Sequence, residues 1–294
     1  MKLWEKSTQV ADEIDRFTVG HDRELDLYLA KYDVMGSMAH IRMLNSIGLL
    51  GDDELPSLLQ ELRAIYDLAE RGEFVIEDGI EDVHSQVELM LTRRLGDMGK
   101  KIHAGRSRND QVLVDLKLFT RDKLRQVAEA VRALFDKLQI QSERYKNILM
   151  PGYTHLQRAQ PITFAHHLLA YCMMLLRDVD RFVDLRKRIN VSPIGSCALA
   201  GTTYDTDRYF EAEKLGFADI CHVGNIISVV RICRLQVTNI VSERYCVTLD
   251  KVTCGILWQK YWLKLFSFAR HSAYILTGYG INCVFPSSIF GFYA

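Results

Sequence analysis

The chain has seven cysteines but no Cys-x-x-Cys pair, so the usual spacing signal for a zinc site or a dithiol redox motif is missing. Neither sign of charge is in excess: 37 Lys and Arg balance 37 Asp and Glu. Net charge therefore gives no reason to expect nucleic acid or an anionic membrane as a partner. The opening residues, Met1 to Lys6, hold no apolar run of the secretory type, and without one the cysteines are expected as reduced thiols of a cytoplasmic protein. There is no Gly-x-Ser-x-Gly, no phosphate-cradling glycine loop and no Cys/His nucleophile signature. Internal repeats and low-complexity tracts are also lacking. No alternating strand pattern of any length occurs before residue 220, which makes the expected fold class all-α.

Helical spacing is what the chain has instead. After a polar lead-in over residues 1–20, apolar residues recur at Leu25, Leu29, Tyr32, Met35, Met38 and Ile41, three or four apart as on one helix face. Gly48 and Gly51 end that helix, and Asp52-Asp53-Glu54 starts a second through Leu58, Leu62, Ile65 and Leu68. Phe74-Val75-Ile76 reads as a short strand or a packed loop. Glu81-Asp82-Val83-His84 opens a third helix that stops near Gly96. Residues 111–150 contain neither Gly nor Pro, and Val112, Leu116, Phe119, Leu124, Val127, Val131, Leu134 and Leu138 stripe them. A helix of about 35 residues there would be roughly 50 Å long, a length that implies packing along a bundle, often between subunits. A further helix is expected over 162–190, with Pro161 in its first turn and Phe164, Leu168, Tyr171, Leu175, Val179, Phe182 and Leu185 inside. The Met173-Met174 pair and the adjacent His166-His167 read as packing rather than ligands.

Composition changes near Cys221. Residues 221–294 hold seven Lys and Arg, two Asp and Glu, and five of the seven cysteines, and 271–294 carry no charged residue. Gly278, Gly280, Asn282, Pro286 and Gly291 interrupt that uncharged stretch and argue against a membrane span. The expected division is a helical domain over 1–110, part of a helical bundle over 111–221, and a dissimilar tail over 222–294.

Two polar stretches carry the candidate chemistry. His103-Ala104-Gly105-Arg106-Ser107-Arg108-Asn109-Asp110-Gln111 precedes the long helix. Arginines supply planar bidentate donors for carboxylates, and Asn109 offers a donor and an acceptor for an amino-acid head group. Ser107, Asn109 and Asp110 are equally good capping residues, in which case Arg106 and Arg108 are ordinary surface charges. Gly152-Tyr153-Thr154-His155-Leu156-Gln157-Arg158-Ala159-Gln160-Pro161 follows the helix. His155 can move a proton or hold a carboxylate, or it is a histidine satisfied by backbone. His84 could approach the same site or lie on the surface.

These two stretches resemble the hallmark motifs of the argininosuccinate lyase family. Glu81 to His84, Arg186-Lys187-Arg188-Ile189-Asn190 and Ala198-Leu199-Ala200-Gly201 fit the same family, over about residues 1–221. The resemblance implies the long-helix bundle of the fumarase/aspartase superfamily, a homotetramer whose sites each draw on three subunits. It also implies reversible cleavage of argininosuccinate to arginine and fumarate, with no cofactor and no metal. In that reaction a base removes the proton beside one carboxylate, an aci-carboxylate carbanion forms, and the guanidinium nitrogen leaves. By resemblance Asn109 and Thr154 contact substrate, Arg108 and Ser107 help bind its carboxylates, Gln157 joins them, His84 lines the pocket and His155 is the acid/base histidine. Adenylosuccinate is the alternative substrate, and a non-catalytic helical oligomer on the same scaffold the alternative role. Gly20 stands near where family members often carry a substrate-binding serine. The family's Gly-Ser-Ser-x-Met-Pro-x-Lys-x-Asn loop does not occur in 222–294, where Pro286-Ser287-Ser288-Ile289 is only a partial likeness. A frameshifted or otherwise truncated bundle with impaired activity is the expectation that follows.

Overall fold

A computed structural model describes residues 22–221. The N-terminal lead-in, the Gly20 position, the tail over 222–294 and its uncharged 271–294 stretch lie outside the described residues. The chain divides into two compact units, one holding Met1–Thr120 with Ile189–Val230 and the other containing Arg121–Arg188.

In the first unit, α1 (Asp22–Leu25) passes through a 3-10 turn into α2 (Ala30–Ser46), followed by α3 (Glu54–Glu70), α4 (Val83–Leu95) and α5 (Asp97–Lys100). The signals expected from sequence act where they stand. Asp82 caps α4 by accepting from the Ser85 N–H at 2.9 Å, and Gly96 closes it at φ 62°, a conformation glycine reaches without steric cost. The Phe74 to Ile76 run is loop, with Phe74 and Ile76 buried and Val75 exposed. Ile41, Leu44, Leu58, Leu62, Leu91 and Ile102 form the main core here. A second cluster joins Tyr32 and Ala39 of α2 to Val114, Leu118, Ile194 and Ala212.

The expected long helix is α6 (Arg108–Arg144), 37 residues or about 55 Å, and it begins in the first unit and continues into the second. Its apolar register differs from the expected one near the start. Val114 and Leu118 are the fully packed positions, whereas Val112 and Leu116 are half-buried. The reason is that this end of α6 is enclosed on more than one side, so Asp110, Gln111 and Asp115 are buried as well.

In the second unit, α6 is followed by an antiparallel hairpin, β1 (Leu149–Thr154) and β2 (Gln157–Thr163), then α7 (Phe164–Ile189). The hairpin is a local exception in a mostly helical fold of the expected class, and it corrects one expectation: Pro161 lies in β2 opposite Pro151 rather than in the first turn of a helix. In a two-stranded ribbon each strand has a free edge, where a missing N–H leaves no ladder bond broken. Phe135, Leu138, Leu168, Cys172 and Leu175 make this unit's core. Tyr171 and Met173, expected inside, are 44% and 55% exposed, because Cys172 and Leu175 occupy the core-facing positions of α7. The chain then returns to the first unit through β3 (Val191–Ser192), α8 (Arg208–Lys214) and β4 (Asp219–Ile220), with β3 and β4 parallel. Among the described residues no helix is long and apolar enough to cross a membrane, and Cys172, Cys197 and Cys221 are free thiols.

Candidate active site

The first polar stretch is a short loop wedged between a 3-10 turn (Lys101–His103) and α6. Gly105 turns it at φ 71°. Asp110, in the first turn of α6, ties it down. Its Oδ1 accepts from the Ser107 N–H at 3.0 Å, and its Oδ2 accepts from the Gly195 and Cys197 N–H groups at 2.9 and 2.7 Å. One fully buried carboxylate thus binds the loop before α6 to the small-residue loop after β3, where Cys197 is held at φ 52°. Burial, with the nearby charges of Asp110 and Glu211, pushes the Cys197 thiol up to about 11, so it is a poor nucleophile.

The two arginines of the stretch have different fates. Arg106 is buried and points inward, with Nη2 donating to Ser37 Oγ at 3.0 Å. It is not a surface charge. Burial pulls its guanidinium below the ordinary value, opposed by Asp33, Asp110, Asp115 and Glu211 around it. Arg108 is half-buried and grips the start of α4. Its Nε donates to Asp82 Oδ2 at 2.9 Å, and its other nitrogens reach Glu81 at 3.4 Å and Ser85 Oγ at 3.4 Å. Ser107 Oγ accepts from the Asn109 N–H at 3.3 Å, and Asn109 is exposed, touching the Ala198 carbonyl at 3.4 Å. Of this group, Asn109 is the residue whose side-chain amide is exposed to solvent at the start of α6.

His84 is 3% exposed. Its Nδ1 lies 2.8 Å from Asp33 Oδ1 and 3.9 Å from Asp115 Oδ2, so it belongs to the buried polar interior rather than to the surface. Gln111 also donates to Asp33 Oδ1. Asp33, His84 and Asp115 could hold a metal ion by mutual distance, their candidate ligand atoms lying within 4.8 Å. The set fits poorly, because Nδ1 of His84 and Oδ1 of Asp33 already bond each other and Arg106 supplies a cation to the same carboxylates. Burial pushes Asp33 up, but His84, Arg106 and Gln111 outweigh it and hold the carboxyl below its usual range. Among the described residues Asp115 has no hydrogen-bond partner for either oxygen. Burial first, then the charge of Asp33, push it well above the carboxylate range.

The second polar stretch belongs to the other unit and forms the hairpin tip. Thr154 and Gln157 are its last paired residues, and His155 and Leu156 make a two-residue turn at φ 48° and 64°. Positive φ at both positions is the turn that matches strand twist, although Asn-Gly, not His-Leu, is its usual sequence. Thr154, His155 and Gln157 are all exposed, and Leu156 is 98% exposed. Two non-glycine residues held in this region at an exposed tip are the kind of local strain that accumulates at functional sites.

The structure therefore groups Ser107, Arg108, Asn109 and His84 in the first unit, and Thr154, His155 and Gln157 in the second. Sequence reasoning overlooked Asp33, Ser37 and His40, a polar line at i, i+4 and i+7 of α2 that is wholly buried. Its helical spacing was the available signal.

With this geometry established, comparison with known proteins is decisive about kinship. A protein-family model described as a lyase matches residues 8–230. The chain belongs to this lyase family. It is 62% identical over 216 residues to an argininosuccinate lyase of Bacteroides thetaiotaomicron, covering 74% of this chain and 48% of that protein. An argininosuccinate lyase of a Thermoanaerobacter species is 47% identical over 222 residues, 75% of this chain and 49% of the relative. The chain thus spans about half the length of the curated relatives it matches. Among solved structures, an EDDS lyase in complex with formate is similar at a TM-score of 0.61 and 26% identity, over 81% of this chain and 49% of that one. A class II fumarase from Schistosoma mansoni is similar in fold, at a TM-score of 0.56 and 18% identity over 81% of this chain and 52% of that one.

Proposed function

We propose that the scaffold serves the reversible cleavage of argininosuccinate to arginine and fumarate, a step of arginine biosynthesis, in a cytoplasmic homotetramer. The observation that carries this reading is the 62% identity to a protein named argininosuccinate lyase, within a family match that includes both polar stretches. Asn109 at the start of α6 and Thr154 at the hairpin tip are the substrate contacts. Ser107 and Gln157 flank them, and Arg108 and His84 support the first site through Asp82 and Asp33. His155, exposed on its turn, is the acid/base group. Exposed Leu169 and Met173, one turn apart on the same face of α7, support burial against other copies, since exposed apolar patches usually mark contact surfaces.

Turnover by this 294-residue chain is proposed to be slow, because its sequence contains no Gly-Ser-Ser-x-Met-Pro-x-Lys stretch. Loss of one general acid or base costs about 10²–10⁴ in rate. The test is fumarate release from argininosuccinate and from adenylosuccinate, with H155N as control. The reading expects slow release from argininosuccinate alone, abolished by H155N. Release from adenylosuccinate, or indifference to H155N, would overturn it.

A further inference from the structure

We infer that the buried His40–Glu211 pair is a positioning device that fixes the Ala104 carbonyl and thereby the backbone presenting Asn109. The inference rests on the proposed reading of that loop as a dicarboxylate site. His40 on α2 and Glu211 on α8 are 171 residues apart in sequence, and their side chains are fully buried with Nδ1 and Oε1 2.6 Å apart. The other ring nitrogen, Nε2, is 2.7 Å from the Ala104 carbonyl. A carbonyl can only accept, so Nε2 carries the hydrogen, and the proton between Nδ1 and the carboxylate makes the ring a fully engaged crosslink. Ala104 is thereby tied to both α2 and α8.

A similar contact follows two residues along the loop. Ser37, three residues before His40, takes the Arg106 Nη2 hydrogen at 3.0 Å. On the opposite side, Cys197 Sγ reaches the Gly105 carbonyl at 3.2 Å. Backbone bonds tie the loop only to its own neighbours, the Ala104 N–H donating to the Lys101 carbonyl at 3.0 Å and the Arg106 N–H to the His103 carbonyl at 3.4 Å. Side chains supply the contacts that fix this loop to α2, α8 and the segment around Cys197. A buried ion pair is a poor way to gain stability, since apolar residues of similar volume often serve as well or better. What an apolar pair cannot do is hold the Ala104 carbonyl, and that is the function the geometry assigns to His40, with Glu211 orienting it.

The test compares the full chain with H40L/E211L, which replaces the pair by apolar groups, and with E211Q, which keeps size and an acceptor but removes the charge. Hydrogen exchange of the peptide spanning 103–110 reports the loop, titration with fumarate reports the site, and the melting temperature reports the fold. Expected are exchange and a fumarate dissociation constant each about tenfold higher in H40L/E211L, the scale of a lost charge-assisted hydrogen bond, with peptides of α3 unchanged. E211Q should show the same effects in smaller measure. Unchanged loop exchange in a folded variant, E211Q included, overturns the inference. Faster loop exchange in the variants, with no fumarate binding by the unaltered chain, upholds the positioning role and overturns the dicarboxylate reading instead.

Discussion

Arg108 donates to Asp82 across 2.9 Å, which joins the first residue of the longest helix to the cap of α4. The same carboxylate accepts from the Ser85 N–H through its other oxygen, so one side chain starts one helix and anchors another. D82A should cost about 1–2 kcal/mol through loss of the cap. The Arg108 pair adds little, because that side chain is 35% exposed and such pairs are screened. Urea denaturation measures the loss, and D82N, which keeps an acceptor, should recover most of it.

Asp110 should be less forgiving. It is fully buried and accepts three backbone N–H bonds from two loops. D110N retains one accepting oxygen and points an amide at N–H groups, so about 2 kcal/mol or more should be lost. The same variant should speed hydrogen exchange at residues 195–198, and unaltered exchange there would contradict the role described.

The Asp33 and Asp115 carboxyls predict opposite pH dependences. Asp33 lies lower in the folded chain than its ordinary value, so the stability it contributes is present above that ordinary value and is lost as pH falls through the folded one. Asp115 lies well above the ordinary carboxylate value, pushed there by burial and the charge of Asp33. The folded chain therefore holds that proton more tightly, and the contribution is intact below the ordinary value and declines as pH rises towards the folded one. D115N should accordingly raise the melting temperature at neutral pH, with the gain shrinking as pH falls to the ordinary carboxylate range. A gain that grew on acidification would contradict the assignment.

Size-exclusion chromatography addresses the α7 surface. The chain should elute as an assembly or aggregate, and M173E, at a position 55% exposed in the single chain, should shift it towards a monomer. A clean monomer peak for the unaltered chain would count against the contact role of this face.

The sequence was most legible where one force dominates. Forty residues without Gly or Pro and with a continuous apolar stripe left α6 little alternative to a helix, and Asp82 and Gly96 marked the ends of α4 by capping chemistry. The hairpin escaped because Pro151, Gly152 and Pro161 are poor strand residues and both strands are largely exposed. Without a core to face, they have no alternation to display. The buried polar line of Asp33, Ser37 and His40 escaped for a different reason. Polar residues at helical spacing read as a solvent face unless their partners are known, and those partners, Gln111, Arg106 and Glu211, come from distant segments. Motif resemblance named the candidate residues, but not that Arg106 and His84 would lie inside.

The most direct test of the central claim is calorimetric titration of the purified chain with argininosuccinate, alongside N109A and with adenylosuccinate as competitor. The account predicts saturable binding of argininosuccinate, weakened at least tenfold by N109A through loss of charge-assisted hydrogen bonds worth about 1.5–3 kcal/mol, and not displaced by adenylosuccinate. Equal binding by N109A, or displacement by adenylosuccinate, would contradict it.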